Sequence, residues 1–237
     1  MKNLLLILFC AIAIPAFSQQ TIINDANAEQ RNVSAFTGIK VSGGITLYLS
    51  QGEEYSLAVS ASDADSRSEI KTEVKDNVLT ISVSGKHWKH WEGRELRAYV
   101  SFKTLDNMEA TGACSVFING TLSTGTLLIR LSGASTMEGK IKAGTISFDL
   151  SGASVAKIGG EAENTKIDAS GASDIKSYDL TTQNCIARLS GASDARLTIS
   201  NSVVASASGA STLYFDGNPE KRMIKTSGAS SVSQKSE

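Results

Sequence analysis

The sequence is poor in aromatic residues, has two prolines, two histidines and three cysteines, and sets 23 basic against 24 acidic residues. Each shortage excludes something. Scarce rings and prolines beside 20 glycines fit a thin, turn-rich β structure rather than a thick aromatic core. Balanced charge provides no basic footprint for nucleic acid and no polybasic membrane contact. His87 and His90 stand three apart with no further ligands at recognisable spacing, which is too little for a zinc site. No 3.6-residue periodicity competes with the alternation described below.

The one long apolar run, Leu4 to Ile14, follows Lys2 and precedes Ala16-Phe17-Ser18. This is the pattern of a secretory signal peptide, with cleavage expected between Ser18 and Gln19; the run is short for a bilayer span. Without residues 1–18, which hold Lys2 and no acid, 22 basic residues face 24 acidic ones, a net charge of −2. Cys114 and Cys185 remain. They fall between three and four repeats apart, a separation of roughly 15–19 Å at the spacing of β-strands, so the reading predicts two free, buried thiols and no disulfide.

What the sequence does have is a repeat. Ser-Gly-Ala-Ser begins at Ser132, Ser151, Ser170, Ser190, Ser208 and Ser227, and a degenerate copy, Thr111-Gly112-Ala113-Cys114, precedes them. A fixed period near 19 residues marks a solenoid. Numbering the first residue of each copy as position 1 puts apolar residues such as Ile129, Phe148 and Ile167 at −2, Leu131, Leu150 and Ala169 at 0, and Met137, Ala156 and Ile175 at +6. Charged or polar residues lie between. Alternation of period two is that of half-buried strands, and a 19-residue rung holds two or three short strands, as in a parallel β-helix. In this register Gly at +2 and Ser at +4 are expected to face inward and mark a corner, the hydroxyls bonding along the column. No base accompanies any copy, so the serines are structural and no catalytic residue is assigned.

Residues 19–32 are polar, lack alternation and read as a flexible leader, with order beginning at Val33. A single domain covers 33–237: irregular N-terminal strands over 33–110, then regular rungs over 111–237. Ile70–Val74 and Val78–Val83 flank Lys75-Asp76-Asn77 as a hairpin, and 63–68 reads as a polar turn. Ser84 to Arg94, with Trp88 and Trp91, reads as an exposed loop, and its tryptophans are candidates for stacking on a partner.

Phe36-x-x-Ile39-x-Val41-x-Gly43, the hairpin Thr72–Ile81 and the Ser-Gly-Ala-Ser units together resemble the family described as putative auto-transporter adhesin, head GIN domain. The resemblance implies an exported, right-handed β-helical domain of Gram-negative bacteria, placed in the periplasm or on the outer surface, with no catalytic residues or cofactor to carry across.

Two outward columns are candidate sites. At −1, Arg130, Asp149, Asp168 and Arg188 form a +, −, −, + ladder. It reads either as a structural ladder or as a carboxylate pair for a cation or for polysaccharide cleavage. At +7, Lys157, Lys176 and Arg196 stack and lead to Tyr214; they are either neutralised by neighbours such as Asp174 and Asp194 or available to an acidic glycan. The expected function is a non-catalytic binding or structural module of the cell envelope that contacts a glycan or protein. The alternative is a polysaccharide lyase or hydrolase.

Overall fold

The structure, a computed structural model, describes residues 25–84 and 95–235. The expected signal peptide with its Ser18/Gln19 junction, and the loop residues His87, Trp88, His90 and Trp91, lie outside the described residues. The chain is nearly all strand and winds into a parallel β-solenoid of about seven turns with roughly 19-residue spacing, as the repeat predicts.

Five long strands form the regular part: β9 (Ser115–Leu131), β10 (Thr136–Leu150), β11 (Val155–Ala169), β12 (Asp174–Leu189) and β13 (Asp194–Ala207). Each runs from one tetrapeptide to the next and pairs parallel with its neighbours, Met137 opposite Ala156 and Phe148 opposite Ile167. The two parts of each strand serve different faces. The start of β13 pairs with β14 (Thr212–Asp216) and its end with β15 (Lys221–Thr226). We call the face after each tetrapeptide downstream and the face before it upstream. The inward columns are buried from end to end, because alternating side chains of stacked, in-register strands meet only their own kind. The last rung is the exception: Ile224, opposite Ala205, is 41% exposed.

The tetrapeptide is the corner, with a correction to its polarity. The glycines face outward and the fourth serines inward. Gly171 has φ +74°, and a Cβ there would stand 2.7 Å from the Gly152 carbonyl oxygen. The next residue, Ala172, donates its N–H to that same oxygen at 2.7 Å. Glycine is therefore required by left-handed backbone and by the close stacking of corners. The serine hydroxyls bond within their own turn rather than to one another: Ser173 Oγ donates to Ser170 O at 2.9 Å, and Ser154 to Ser151 at 2.8 Å; Ser193 and Ser230 also reach a carbonyl of the preceding rung, Ala169 O at 3.1 Å and Ala207 O at 2.8 Å. In the degenerate copy Cys114 Sγ makes the equivalent bond to Thr111 O at 3.3 Å.

The N-terminal rungs are laid down out of order. β2 (Gly38–Ser42) and β3 (Thr46–Gln51) form one rung around Ser42-Gly43-Gly44-Ile45, a further, divergent copy of the corner in which Ser42 pairs with Thr111. The chain then leaves through β4 (Ser56–Ser60), α1 (Ala64–Glu69) and β5 (Ile70–Lys75). It returns as β6 (Val78–Val83) and β7 (Arg97–Phe102), which pair parallel with the outer side of β2 and β3. β8 (Asn107–Thr111) then continues on the inner side. The β5–β6 hairpin turns through Asp76 and Asn77, both at positive φ, as the sequence predicts. The expected turn at 63–68 is largely a helix: Asp63 caps it, accepting from Ser66 N at 2.7 Å, as short acidic side chains do at helix starts.

The leader also needs correction over its last residues. β1 (Glu29–Arg31) pairs antiparallel with β4, which pairs antiparallel with β7. Ahead of it, the Asp25 carboxylate accepts from Tyr99 OH at 2.9 Å and from Arg97 at 3.4 Å. These partners are far along the chain, so no local alternation marks the segment. Among the described residues no helix is long and apolar enough to cross a membrane. Cys114 and Cys185 are free and buried.

Candidate functional site

On the downstream face the +7 column is continuous over nine strands. Tyr99, Tyr48, Phe117 and Glu138 stand in successive register, Glu138 faces Lys157, and Lys176, Arg196, Tyr214 and Ser233 complete it. The three rings stack face to face, with centroids 5.2 and 5.6 Å apart. Their faces are thus turned toward one another and their edges toward solvent, the geometry of a stabilising stack.

The basic residues of this column all have acidic partners. Lys157 Nζ lies 3.5 Å from Glu138, Lys176 Nζ 3.2 Å from Asp174, and Arg196 3.0 Å from Asp174 and 3.4 Å from Asp194. The Arg196 guanidinium also sits over the Tyr214 ring, 5.9 Å from its centroid, an arrangement that holds the cation against a π face. Glu138 stands directly opposite Lys157 in the column itself, whereas Asp174 and Asp194 lie two residues back on the same or the adjacent strand and are the neighbours that the sequence points to. The stripe is a set of ion pairs ending in a half-open tyrosine.

On the upstream face the −1 ladder is in register: Arg130 opposite Asp149, Asp149 opposite Asp168, Asp168 opposite Arg188. Arg130 Nε approaches Asp149 at 3.6 Å; among the described residues no ion pair joins Asp168 to Arg188. These groups border a shallow groove of about 410 Å³ whose walls include Leu128, Ile186 and Lys166. Both flanking aspartates are exposed, so the groove holds carboxylates in water rather than a desolvated acid–base pair. Among the described residues no cluster of three or more His, Cys, Asp or Glu could hold a metal ion.

The feature that sequence reasoning misses is the −3 column of the same face. Ile186, Val204 and Met223 lie opposite one another on β12, β13 and β15 and are 44%, 40% and 61% exposed. Lys166, Arg188, Lys221 and Lys225 surround them, all exposed, and none has an ion-pair partner among the described residues. A signal exists: these three positions are outward in the alternation yet carry large apolar residues.

A family model described as putative auto-transporter adhesin, head GIN domain, matches residues 35–219. None of the curated proteins matches the chain. Among the solved structures that it is similar to are three from the genera Bacteroides and Parabacteroides. A putative adhesin of Bacteroides fragilis shares 19% identity at a TM-score of 0.81, covering 87% of this chain and 95% of its own. A putative adhesin of Parabacteroides distasonis shares 20% at 0.69, covering 87% and 95%. A putative lipid binding protein of the same organism shares 16% at 0.66, covering 90% and 98%. At these identities the likeness is one of fold.

Proposed function

The chain belongs to the family described as putative auto-transporter adhesin, head GIN domain, and from that premise we propose that it is an exported, non-catalytic binding module of a Gram-negative cell envelope, adhesin-like in its use of an extended surface. The observation that carries this reading is the pair of exposed faces in which outward side chains repeat in register over many strands. Such a surface offers many weak, evenly spaced contacts to a large partner and encloses little. On the downstream face the contacts assigned are Lys157, Lys176, Arg196 and Tyr214, where paired charges present both donors and acceptors to a glycan or protein. Trp88 and Trp91 are assigned to partner stacking from their sequence alone.

A second reading, a lyase or hydrolase acting on polysaccharide, is favoured by one observation, the groove beside Asp149 and Asp168. It ranks behind because Asp149 is held by Arg130 and both carboxylates are solvated, whereas a general acid needs an environment that retains its proton.

Export is tested by fractionating cells of the host and reading the N-terminus of the recovered protein. The proposal expects a chain that begins at Gln19, in the periplasm or open to protease added outside intact cells. A cytoplasmic protein still carrying residues 1–18 would contradict it.

A further inference from the structure

We propose that the C-terminal part of the upstream face is a docking surface for an anionic lipid bilayer. This rests on the exported, envelope-located reading above and gives that reading a specific surface and partner.

The first observation is apolar. Ile186, Val204 and Met223 form a strip one side chain wide on three in-register strands, all of them exposed. Isolated apolar residues are ordinary on a protein surface; a contiguous run is a signature of interaction.

The second observation is the charge beside it. Lys221 lies on one side of the strip, two residues before Met223, and Arg188 and Lys225 lie on the other, two residues after Ile186 and Met223. Lys166 stands in register with Ile186 one rung back. The nearby acids are fewer: Asp168 faces Arg188 across the ladder without an ion pair, and Glu220 precedes β15. On the downstream face, by contrast, Lys157, Lys176 and Arg196 are all matched by carboxylates. Cations left without partners around exposed apolar side chains leave both groups available to something outside the chain.

The geometry favours a lipid surface. The shallow groove beside the strip, with Lys166, Ile186 and Arg188 in its walls, encloses little; an interface between headgroups and acyl chains accepts such an open surface without shape matching. Apolar side chains can enter that boundary while lysine and arginine stems lie along it with their charges at the phosphates. A second copy of this chain is a poor occupant, because a two-fold axis through β15 would set Lys221 and Lys225 against the same cations.

The test uses the mature chain, residues 19–237, floated with vesicles of phosphatidylglycerol and phosphatidylethanolamine and, separately, with phosphatidylcholine vesicles. The expected result is flotation with the anionic vesicles only, weakening as salt is raised. Replacing Lys166, Arg188, Lys221 and Lys225 together by Gln should lower the bound fraction at least about tenfold, given the attraction of each cation to an anionic surface. Ile186→Ser with Val204→Ser and Met223→Ser should do likewise, and Lys71→Ser with Lys75→Ser and Lys103→Ser, exposed cations outside this face, should leave it unchanged. All these side chains are exposed, and unaltered melting of each variant checks the fold; the salt series on the unsubstituted chain needs no variant. No flotation, equal flotation with both vesicles, or capture by a soluble acidic polysaccharide without vesicle binding would overturn the proposal. If vesicles fail while isolated envelopes still retain the chain, the lipid surface is refuted and the envelope reading stands.

Discussion

The Gly152 carbonyl oxygen lies 2.7 Å from the point where a Cβ on Gly171 would stand, and the same oxygen accepts the N–H of Ala172. A side chain at Gly171 would meet a backbone atom that cannot move without breaking this bond, in a conformation that already costs a non-glycine residue roughly 1–2 kcal/mol. Gly171→Ala is predicted to destabilise the solenoid by about 2 kcal/mol or more, lowering the melting temperature by roughly 4–8 °C for a domain of this size. Ala172→Ser, one residue away at an exposed position, should change it by less than about 0.5 kcal/mol. Calorimetry of both variants checks the pair.

Asp25 ties the N-terminal segment to the first rungs, and its titration gives the tie a pH signature. Burial pushes its carboxyl up, but hydrogen bonds from Tyr99, Ser60, the Asn27 N–H and Arg97 outweigh this and hold it below the usual 3.8. A carboxylate with a depressed folded value contributes stability that is present above its unfolded value and lost as pH falls through the folded one. The melting temperature of Asp25→Asn should therefore lie below that of the unsubstituted chain at pH 7, and the gap should shrink as pH is taken below 3.8. A gap independent of pH would remove the charge from the account.

The same contact acts on Tyr99, whose phenol is pushed up to about 12 by burial and then by the Asp25 hydrogen bond. A raised folded value means that the stability it contributes is present below pH 10 and is lost as pH rises through about 12. Ultraviolet titration should show a late tyrosine that titrates earlier in Asp25→Asn while burial still holds it above its ordinary value of 10.0.

The thiols give a further check on the register. Burial pushes Cys185 up to about 12 and raises Cys114 as well, and thiolate is the reactive form. Iodoacetamide at about pH 8, below the ordinary thiol range, should leave both cysteines unmodified in the folded chain and label both after denaturation. Rapid labelling of Cys185 in the native state would contradict its place in the inward column with Thr165 and Val203.

Much of this architecture is legible in the sequence. Period-two alternation and the repeated tetrapeptide determine which residues of the regular rungs point inward, and the ion pairs of Arg196 follow from column spacing. Ser42-Gly43-Gly44-Ile45 is not recognisable as a copy of the motif because it keeps only the first serine and its glycine, Ile45 standing where the later copies have serine. The excursion that places β6 and β7 outside β2 and β3 has no local mark, since either side of a rung offers the same ladder of donors and acceptors. Asp25 reads as part of a leader because its partners Arg97 and Tyr99 are 72 and 74 residues away. The glycines face opposite to expectation because alternation does not carry through the corner, where positive φ breaks it. On the candidate site the sequence draws attention to charge at −1 and +7, and this charge masks the apolar run at −3.

The most direct test of the central claim is to mix the purified chain, residues 19–237, with envelopes isolated from its own host, sediment them, and analyse the polymers left in both fractions. A non-catalytic envelope module predicts that the chain sediments with the envelopes, competes with an unlabelled copy of itself, and leaves the polysaccharides unchanged in length. A chain that stays in the supernatant while new reducing ends or unsaturated fragments accumulate, and that stops producing them on Asp149→Asn, would contradict the account and move the function to the groove.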